Sequence, residues 1–401
     1  LCDRAGLLVA RGEGVYAFPH RTFQEYLAAC HLTDHDFPRA LVELLRGDPQ
    51  RWREATLLAG AKAARGTASA VWNLADALCH REPPQARTAE ADCWGALLAA
   101  QVLLENEGPR LAQVSEWDAP KLARVQRWMR AIVEHGWLPV VDRALAGEAL
   151  AVLGDDRDLD ALVEVPAGPF LMGSSDKDRQ SSDDEKPQHE GVLPAFRIGK
   201  YPVTVVQYRR FVEATGREWR PGETRLERTN HPAVYVSWYD AQAYCGWLTQ
   251  VWREEGKIGA EEIVRLPTEE EWEKAARGTD GRIYPWGNEW EAARCNTSES
   301  GLGGTTPVGM FPEGASPYGC LDMAGNVWEW TRSLYGRSYP YSPADGRENL
   351  KAGDDRLRVL RGGSFFSSEY AARCACRSRG YPFGFDDLYG FRVVSLSASG
   401  L

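Results

Sequence analysis

The sequence predicts an α+β chain of two architectures: an all-α, repeat-like helical region up to residue 160, then a β-containing domain rich in ordered loops. Three observations predict it. Residues 1–160 hold 29 alanines and 11 glycines, whereas residues 161–401 hold 20 and 28. Alanine favours helix, and glycine favours turns and irregular backbone. Apolar residues of the first part recur at helical spacing, while those of the second form short runs among Gly, Pro and Asn clusters. Nine of the fifteen tryptophans fall in the second part, where large rings can organise loops.

Taken in order, Leu7–Val9 and Val15–Phe18 flank Gly12-Glu13-Gly14 and predict a small hairpin. Phe23, Tyr26, Leu27 and Cys30 then share one helical face. The helical period returns over Ala40–Leu45, Trp52–Ala63, Ala68–Leu78, Cys93–Leu104, Leu122–Ile132 and Ala144–Leu153, punctuated by Gly/Pro clusters. Helix pairs of this length suit a stacked, solenoid-like array. In the second part, Phe170–Met172, Phe196–Ile198 and Val359–Leu360 predict strands, and Ser174–His189 is polar enough to predict a mobile loop. Two helices stand out. Trp238–Gln250 follows an N-cap at Ser237, and Thr268–Ala276 opens with a capping box of Thr268 and Glu271. Thr297–Ser316 is a long irregular stretch that something must organise.

Composition excludes several classes. With 47 basic and 57 acidic residues the formal charge is -10, which argues against a general nucleic-acid or anionic-membrane partner. No apolar run is long enough to span a bilayer as a helix. Nine cysteines without framework spacing predict reduced thiols and a cytoplasmic location. The chain starts at Leu1, as a fragment would. There is no Gly-x-Ser-x-Gly, no His-Glu-x-x-His and no phosphate loop.

An ordered series of blocks carries a resemblance over about residues 161–394. It runs from Val165-Pro166-Ala167-Gly168-Pro169-Phe170-Leu171-Met172-Gly173 through Arg265-Leu266-Pro267-Thr268-Glu269 and Pro285-Trp286-Gly287-Asn288. It continues with Asp322-Met323-Ala324-Gly325-Asn326-Val327-Trp328-Glu329-Trp330, Arg361-Gly362-Gly363-Ser364 and Gly390-Phe391-Arg392. This part resembles the formylglycine-generating-enzyme family, which implies a C-type-lectin-related fold over residues 161–401. The enzymes of that family hold copper on a cysteine pair soon after the Gly-Gly-Ser block, and thiolates suit monovalent copper. Here Phe365–Arg373 contains no cysteine. Cys374 and Cys376 follow, but Cys374 falls where the enzymes carry a non-catalytic residue. No catalytic residue is therefore expected. His20, His31 and His35 are the clustered upstream histidines, and they do not resemble the ligand pattern of iron-dependent relatives. No cofactor is required on this reading. Calcium is the one the resemblance admits, at Asp322, Gly325, Val327 and Glu329, with a weaker second site at Asn296, Thr297, Ser300 and Leu302.

Phe18-Pro19-His20-Arg21-Thr22-Phe23-Gln24-Glu25-Tyr26-Leu27-Ala28-Ala29 resembles the tail of NACHT-type NTPase proteins. It divides the first part into residues 1–35, an NTPase tail, and residues 36–160, a helical linker. The NTPase itself is expected upstream of Leu1.

The last block, residues 365–389, resembles the variable region of the target proteins of diversity-generating retroelements. Randomised adenines in Asn codons reach many residue types but never Lys, Gln, Glu, Met or Trp. Of these 25 residues only Glu369 lies outside the reachable set, where ordinary composition supplies about five. Phe365, Phe366, Tyr370, Tyr381, Phe383, Phe385 and Tyr389 provide stiff anchors, and Ser367, Ser368, Ser378, Gly380, Gly384, Asp386 and Asp387 adaptable polar contacts, with Cys376 and Leu388 completing the surface. Arg373, Arg377 and Arg379 are spaced as fixed residues bracing the loop through carbonyls. The expected function is a diversified receptor module for an unknown protein ligand, linked to an upstream NACHT-type NTPase. The alternatives are a divergent metal-dependent oxidase and a fixed, calcium-stabilised interaction domain.

Overall fold

The computed structural model describes residues 9–12, 15–18, 20–86 and 89–397. Leu7, Leu8, Glu13 and Gly14 of the predicted hairpin and Pro19 of the following motif lie outside the described residues. The chain divides into two compact units between Asp155 and Asp156.

The first unit opens with an antiparallel hairpin of β1 (Val9–Gly12) and β2 (Val15–Ala17). Among the described residues seven helices follow: α1 (Arg21–Asp34), α2 (Arg39–Gly47), α3 (Pro49–Ala64), α4 (Ala68–Leu78), α5 (Glu90–Glu107), α6 (Ala119–His135) and α7 (Val140–Leu153). Each predicted helical run lies inside one of them. Their packing differs from the solenoid expectation. In a solenoid each repeat touches its neighbours only, whereas α5 packs against α2, α3, α4, α6 and α7. The reason is its composition. Residues Cys93–Ala100, Val102 and Leu103 are buried all round the helix, as expected of a helix at the centre of a bundle. Gly95 lets α4 approach, because a Cβ there would meet the Leu78 carbonyl oxygen at 2.5 Å. No helix among the described residues is long and apolar enough to cross a membrane.

The second unit is built on two four-stranded sheets. One has the order β3 (Leu162–Val165), β6 (Phe196–Gly199), β12 (Val394–Ser397), β7 (Glu262–Arg265) and is antiparallel throughout. The other has the order β10 (Ser378–Gly380), β9 (Arg358–Arg361), β8 (Trp328–Leu334), β11 (Tyr389–Gly390), with β11 parallel to β8. A separate hairpin pairs β4 (Gly168–Met172) with β5 (His189–Leu193). The helices are α8 (Val205–Thr215), the short α9 (Glu223–Glu227), α10 (Trp238–Glu254) and α11 (Glu269–Arg277). Ser237 caps α10 in a capping box with Asp240, and Thr268 caps α11 with Glu271. Tyr208, Phe211, Trp238, Tyr244, Trp330 and Phe391 form the largest apolar cluster of this unit.

Helix α11 is buried along its whole length although it reads Glu-Glu-Glu-Trp-Glu-Lys-Ala-Ala-Arg. Charges removed from water need partners at hydrogen-bonding distance, and three of the four glutamates have them. Arg377 donates to Glu269 from Nε at 2.6 Å and from Nη2 at 3.1 Å. Arg265 grips Glu271 with two bonds of 2.7 and 2.6 Å. Glu273 accepts from Arg277 and from the Gly173 amide, both at 2.6 Å, and from Arg361. Behind the helix, Arg392 holds Glu329 with bonds of 2.6 and 2.7 Å, and the Trp272 indole donates to the same carboxylate at 2.7 Å. Glu270 makes no ion pair among the described residues. Burial, then the charges of Glu271 and Glu273, push its carboxyl up to about 7.

Two predictions follow from the network. Glu270 has a folded pKa above its ordinary value, so it costs no stability below the ordinary carboxylate range and costs progressively more as pH rises towards 7. Glu270→Gln should match the parent at pH 4 and exceed it at pH 8 by about 2–3 kcal/mol, measured by chemical denaturation. Arg377→Met removes the closest cation from the buried Glu269 carboxylate, leaving Arg361 at 3.6 Å and the Tyr339 hydroxyl at 3.3 Å, and should lower unfolding free energy at pH 7 by about 3 kcal/mol, read from the same experiment.

Candidate functional site

The segment 365–389 leaves β9 through Gly362-Gly363, crosses a loop with a 3₁₀ turn at Glu369–Ala372, passes inward through Arg373–Arg377, returns as β10, and reaches β11 by a second loop. Main-chain bonds to other parts of the domain pin both loops. The Phe365 amide donates to the Asn326 carbonyl at 3.0 Å, and the Ser298 amide to the Ser367 carbonyl at 2.9 Å. In the second loop, Tyr235, Trp238 and Trp328 donate to the carbonyls of Asp386, Pro382 and Leu388 at 2.9, 3.1 and 2.8 Å. Bonds of this kind do not depend on the side chain the pinned residue carries.

Five of the predicted anchors point to solvent: Phe366 is 76% exposed, Phe385 65%, Phe383 56%, Tyr381 50% and Tyr370 39%. Tyr381 and Phe383 stack with ring centroids 5.4 Å apart. Ser368 is exposed too. Phe365, Ser367, Ser378, Gly384, Asp386, Asp387, Leu388 and Tyr389 are half-buried, and the Tyr389 ring leans on Trp330 at 5.4 Å. Two assignments need correction. Cys376 is 2% exposed, in the inward stretch whose carbonyls accept from Arg361. Gly380 is buried because a Cβ there would meet the Trp330 ring at 2.5 Å. Both belong to the scaffold.

The bracing arginines divide as well. Arg373 and Arg377 are buried, and their chief partners are carboxylates as well as carbonyls. Arg373 donates to both oxygens of Glu185 at 2.7 Å, to Asp178 at 2.8 Å and to the Tyr370 carbonyl at 3.0 Å. Arg377 adds the Asp184 carbonyl at 2.8 Å to its Glu269 pair. Arg379 is exposed and reaches only the Tyr335 hydroxyl, at 2.8 Å. These partners overturn the expectation of a mobile Ser174–His189 loop. Glu185 is fully buried, Ser182 meets the Tyr370 hydroxyl, and Gln180 donates to Glu369 at 2.7 Å. That loop forms one fixed edge of the surface.

The metal sites implied by the resemblance can be tested on donor chemistry. Both oxygens of Glu329 are taken by Arg392 and Trp272. Asp322 accepts the Gly309 amide at 2.6 Å, and burial pushes its carboxyl up to about 6. The Gly325 carbonyl accepts the Val327 amide at 2.9 Å. A carboxylate facing a permanent guanidinium does not fit a calcium ligand. In the weaker set, Asn296 Oδ1 accepts from the Ser300 hydroxyl at 3.0 Å, and the Thr297 carbonyl accepts the Ser300 amide at 3.0 Å, with Leu302 just beyond. Asn296 and Asn326 together tie down the long 297–316 stretch through Gly304 and Thr306. Cys374 and Cys376 do not fit copper. Both lie in the buried inward stretch, and burial pushes both thiols up to about 12. His20 and His35 cap opposite ends of α1, about 20 Å apart along a helix of this length, and only His31 and His35 meet, ring on ring at 4.3 Å. No group of three or more metal-binding side chains occurs among the described residues.

Sequence reasoning missed one feature. Arg225 of α9 pairs with Asp387 at 2.7 Å and lies over the Tyr235 ring at 5.0 Å. With Arg228, Gly303, Gly304 and Thr305 it borders a cleft of about 230 Å³ between Phe365 and Asp387. This cleft brings the first and second loops together. The only trace of it in the sequence is a basic pair, Arg225 and Arg228, far from the segment it serves.

Residues 151–396 match the model of the sulfatase-modifying factor enzyme 1-like domain, and residues 1–32 match the winged helix-turn-helix domain found C-terminal to NACHT. The inactive C-alpha-formylglycine-generating enzyme 2 of Bos taurus is 33% identical over 295 residues, spanning 58% of this chain and 87% of the relative. The formylglycine-generating enzyme of Thermomonospora curvata is also 33% identical, over 298 residues, spanning 58% of this chain and 93% of its own. The structure of PvdO from Pseudomonas aeruginosa superposes with a TM-score of 0.50 at 29% identity, covering 58% of this chain and 93% of that one. With its family model matched over more than half its length, the chain belongs to the sulfatase-modifying factor enzyme 1-like family.

Proposed function

We propose that this chain is a ligand-recognition module in which residues 365–389 form a diversified, protein-binding surface. The observation that carries the proposal is the exposure of Phe366, Tyr370, Tyr381, Phe383 and Phe385 on loops held by main-chain bonds and buried arginines. Exposed aromatic anchors beside small polar residues are the composition of paratopes. The near absence of residues that adenine randomisation cannot reach supports the diversified reading. The match of residues 1–32 supports a link to a NACHT-type NTPase, whose activation ligand binding would bias. A catalytic role is disfavoured by the cysteine-free Phe365–Arg373 segment, where the resembled enzymes place their copper ligands.

Deep sequencing of the gene's last part across a host population tests the diversified reading. Variation should fall on the codons of Phe366, Tyr381, Phe383, Phe385 and their exposed neighbours, and spare Arg373, Cys374, Cys376, Arg377 and Gly380. One invariant sequence would sink it. Alanine at Phe366, Tyr381 and Phe383 should change stability by less than about 0.5 kcal/mol each, whereas unfolding of these variants would return the rings to the core. Millimolar calcium should leave the melting temperature unchanged, and metal analysis of the purified chain should find no stoichiometric copper or iron. Either metal at stoichiometry would revive the oxidase alternative.

A further inference from the structure

The cleft between the two loops combines features that recognise negative charge. Its residues include two arginines, Arg225 and Arg228, and the Gly303-Gly304-Thr305 stretch. The main-chain amides of Gly303, Gly304 and Thr305 have no acceptor among the described residues. Gly303 is in the left-handed region at φ 69°, and glycine turns with successive amides form concavities that hold anions. The Thr305 hydroxyl is fixed from behind by His231 Nδ1 at 3.1 Å. His231 is buried and burial drives its pKa down to about 3, so the ring there is neutral.

One carboxylate already uses the site. Asp387, which approaches from the proposed variable segment, meets Arg225 at 2.7 Å. Its carboxyl is nonetheless raised above the ordinary range, because burial and the adjoining Asp386 outweigh the guanidinium. An acid held at some electrostatic cost is an occupant that a better placed anion can displace.

We propose that this cleft is an oxyanion subsite that receives one carboxylate or phosphate group of the ligand, with Asp387 as its intramolecular stand-in. The proposal deepens the recognition reading and rests on it for the identity of the ligand as a protein. The subsite makes the fixed framework, through Arg225, Arg228 and the glycine turn, a partner in recognition. Residue 387 then tunes the pocket. An acid there closes it, and a neutral residue opens it to the ligand.

The test uses the full chain and two probes, inorganic phosphate and N-acetylglutamate, titrated by calorimetry at low salt. Asp387→Asn should bind at least one probe about tenfold more tightly than the parent, since a charge-assisted bond is freed. Adding Arg225→Gln and Arg228→Gln to Asp387→Asn should remove the gain. Tighter binding of phosphate alone assigns the subsite to a phosphorylated ligand or free phosphate, and tighter binding of N-acetylglutamate alone assigns it to an acidic side chain. No saturable binding of either probe by the Asp387→Asn chain, or equal binding after both arginines are replaced, would overturn the proposal. The alanine variants of Phe366, Tyr381 and Phe383 should keep probe binding. Failure of the subsite is thus read separately from failure of the aromatic surface.

Discussion

Most of the carboxylates buried in the second unit are met by a guanidinium, and that constraint orders the rest of the domain. Four glutamates sit on one buried helix, α11, and another on β8. Taking a carboxylate out of water costs several kcal/mol unless bonds repay it. The repayment comes from Arg361 on β9, Arg377 within the surface segment, Arg392 beside β12, and the nearby Arg265 on β7, while Arg373 of the surface segment does the same for Glu185. Once α11 is buried, both sheets and the acidic loop at 174–186 have few positions left to occupy. A guanidinium fits this task better than an ammonium because its fork can bond two oxygens at fixed geometry.

This arrangement separates buried anchors from exposed rings within twenty-five residues. Arg373, Cys374, Ala375, Cys376 and Arg377 turn inward and carry the electrostatic anchor. Phe366, Tyr381, Phe383 and Phe385 turn outward and touch little of the core. The loops on either side are tied by amides and carbonyls, which every residue but proline supplies in full. Replacing an outward side chain therefore removes few bonds that hold the loop. Gly380 marks the boundary, since its place against Trp330 admits no side chain.

How much of this was legible in the sequence follows the range of each interaction. Capping boxes act over three residues, so Ser237 and Thr268 announced α10 and α11. Helical periodicity located the helices of the first unit for the same reason. It did not locate α8, whose Thr204–Gln207 capping box is present but whose face is interrupted by Gln207, Arg209 and Arg210. The bundle around α5 escaped because burial on all sides leaves no stripe to read. Ser174–His189 was misjudged for the opposite reason. Its charges are visible, but Arg373, the arginine that pairs with buried Glu185, lies nearly 190 residues away. The aromatic surface was readable as composition, while the exclusion of Cys376 and Gly380 from it depends on Arg361 and Trp330, on other strands.

The same logic accounts for the implied calcium site. A divalent ion in such a loop-rich domain gathers carbonyls and a carboxylate around one centre of positive charge. Arg392 does this from within the chain. Besides Glu329 it donates to the carbonyls of Gly199 at 3.0 Å and Leu321 at 2.9 Å. It thus joins the end of β6, the approach to β8, and β8 itself. Its charge is permanent at any physiological pH. Asp322, one residue beyond Leu321, is left to cap the Gly309 amide. Of the two acids that the resemblance assigns to a metal, Glu329 accepts from Arg392, and Asp322 presents its main-chain carbonyl to Arg392 at 3.3 Å and its carboxylate to the Gly309 amide.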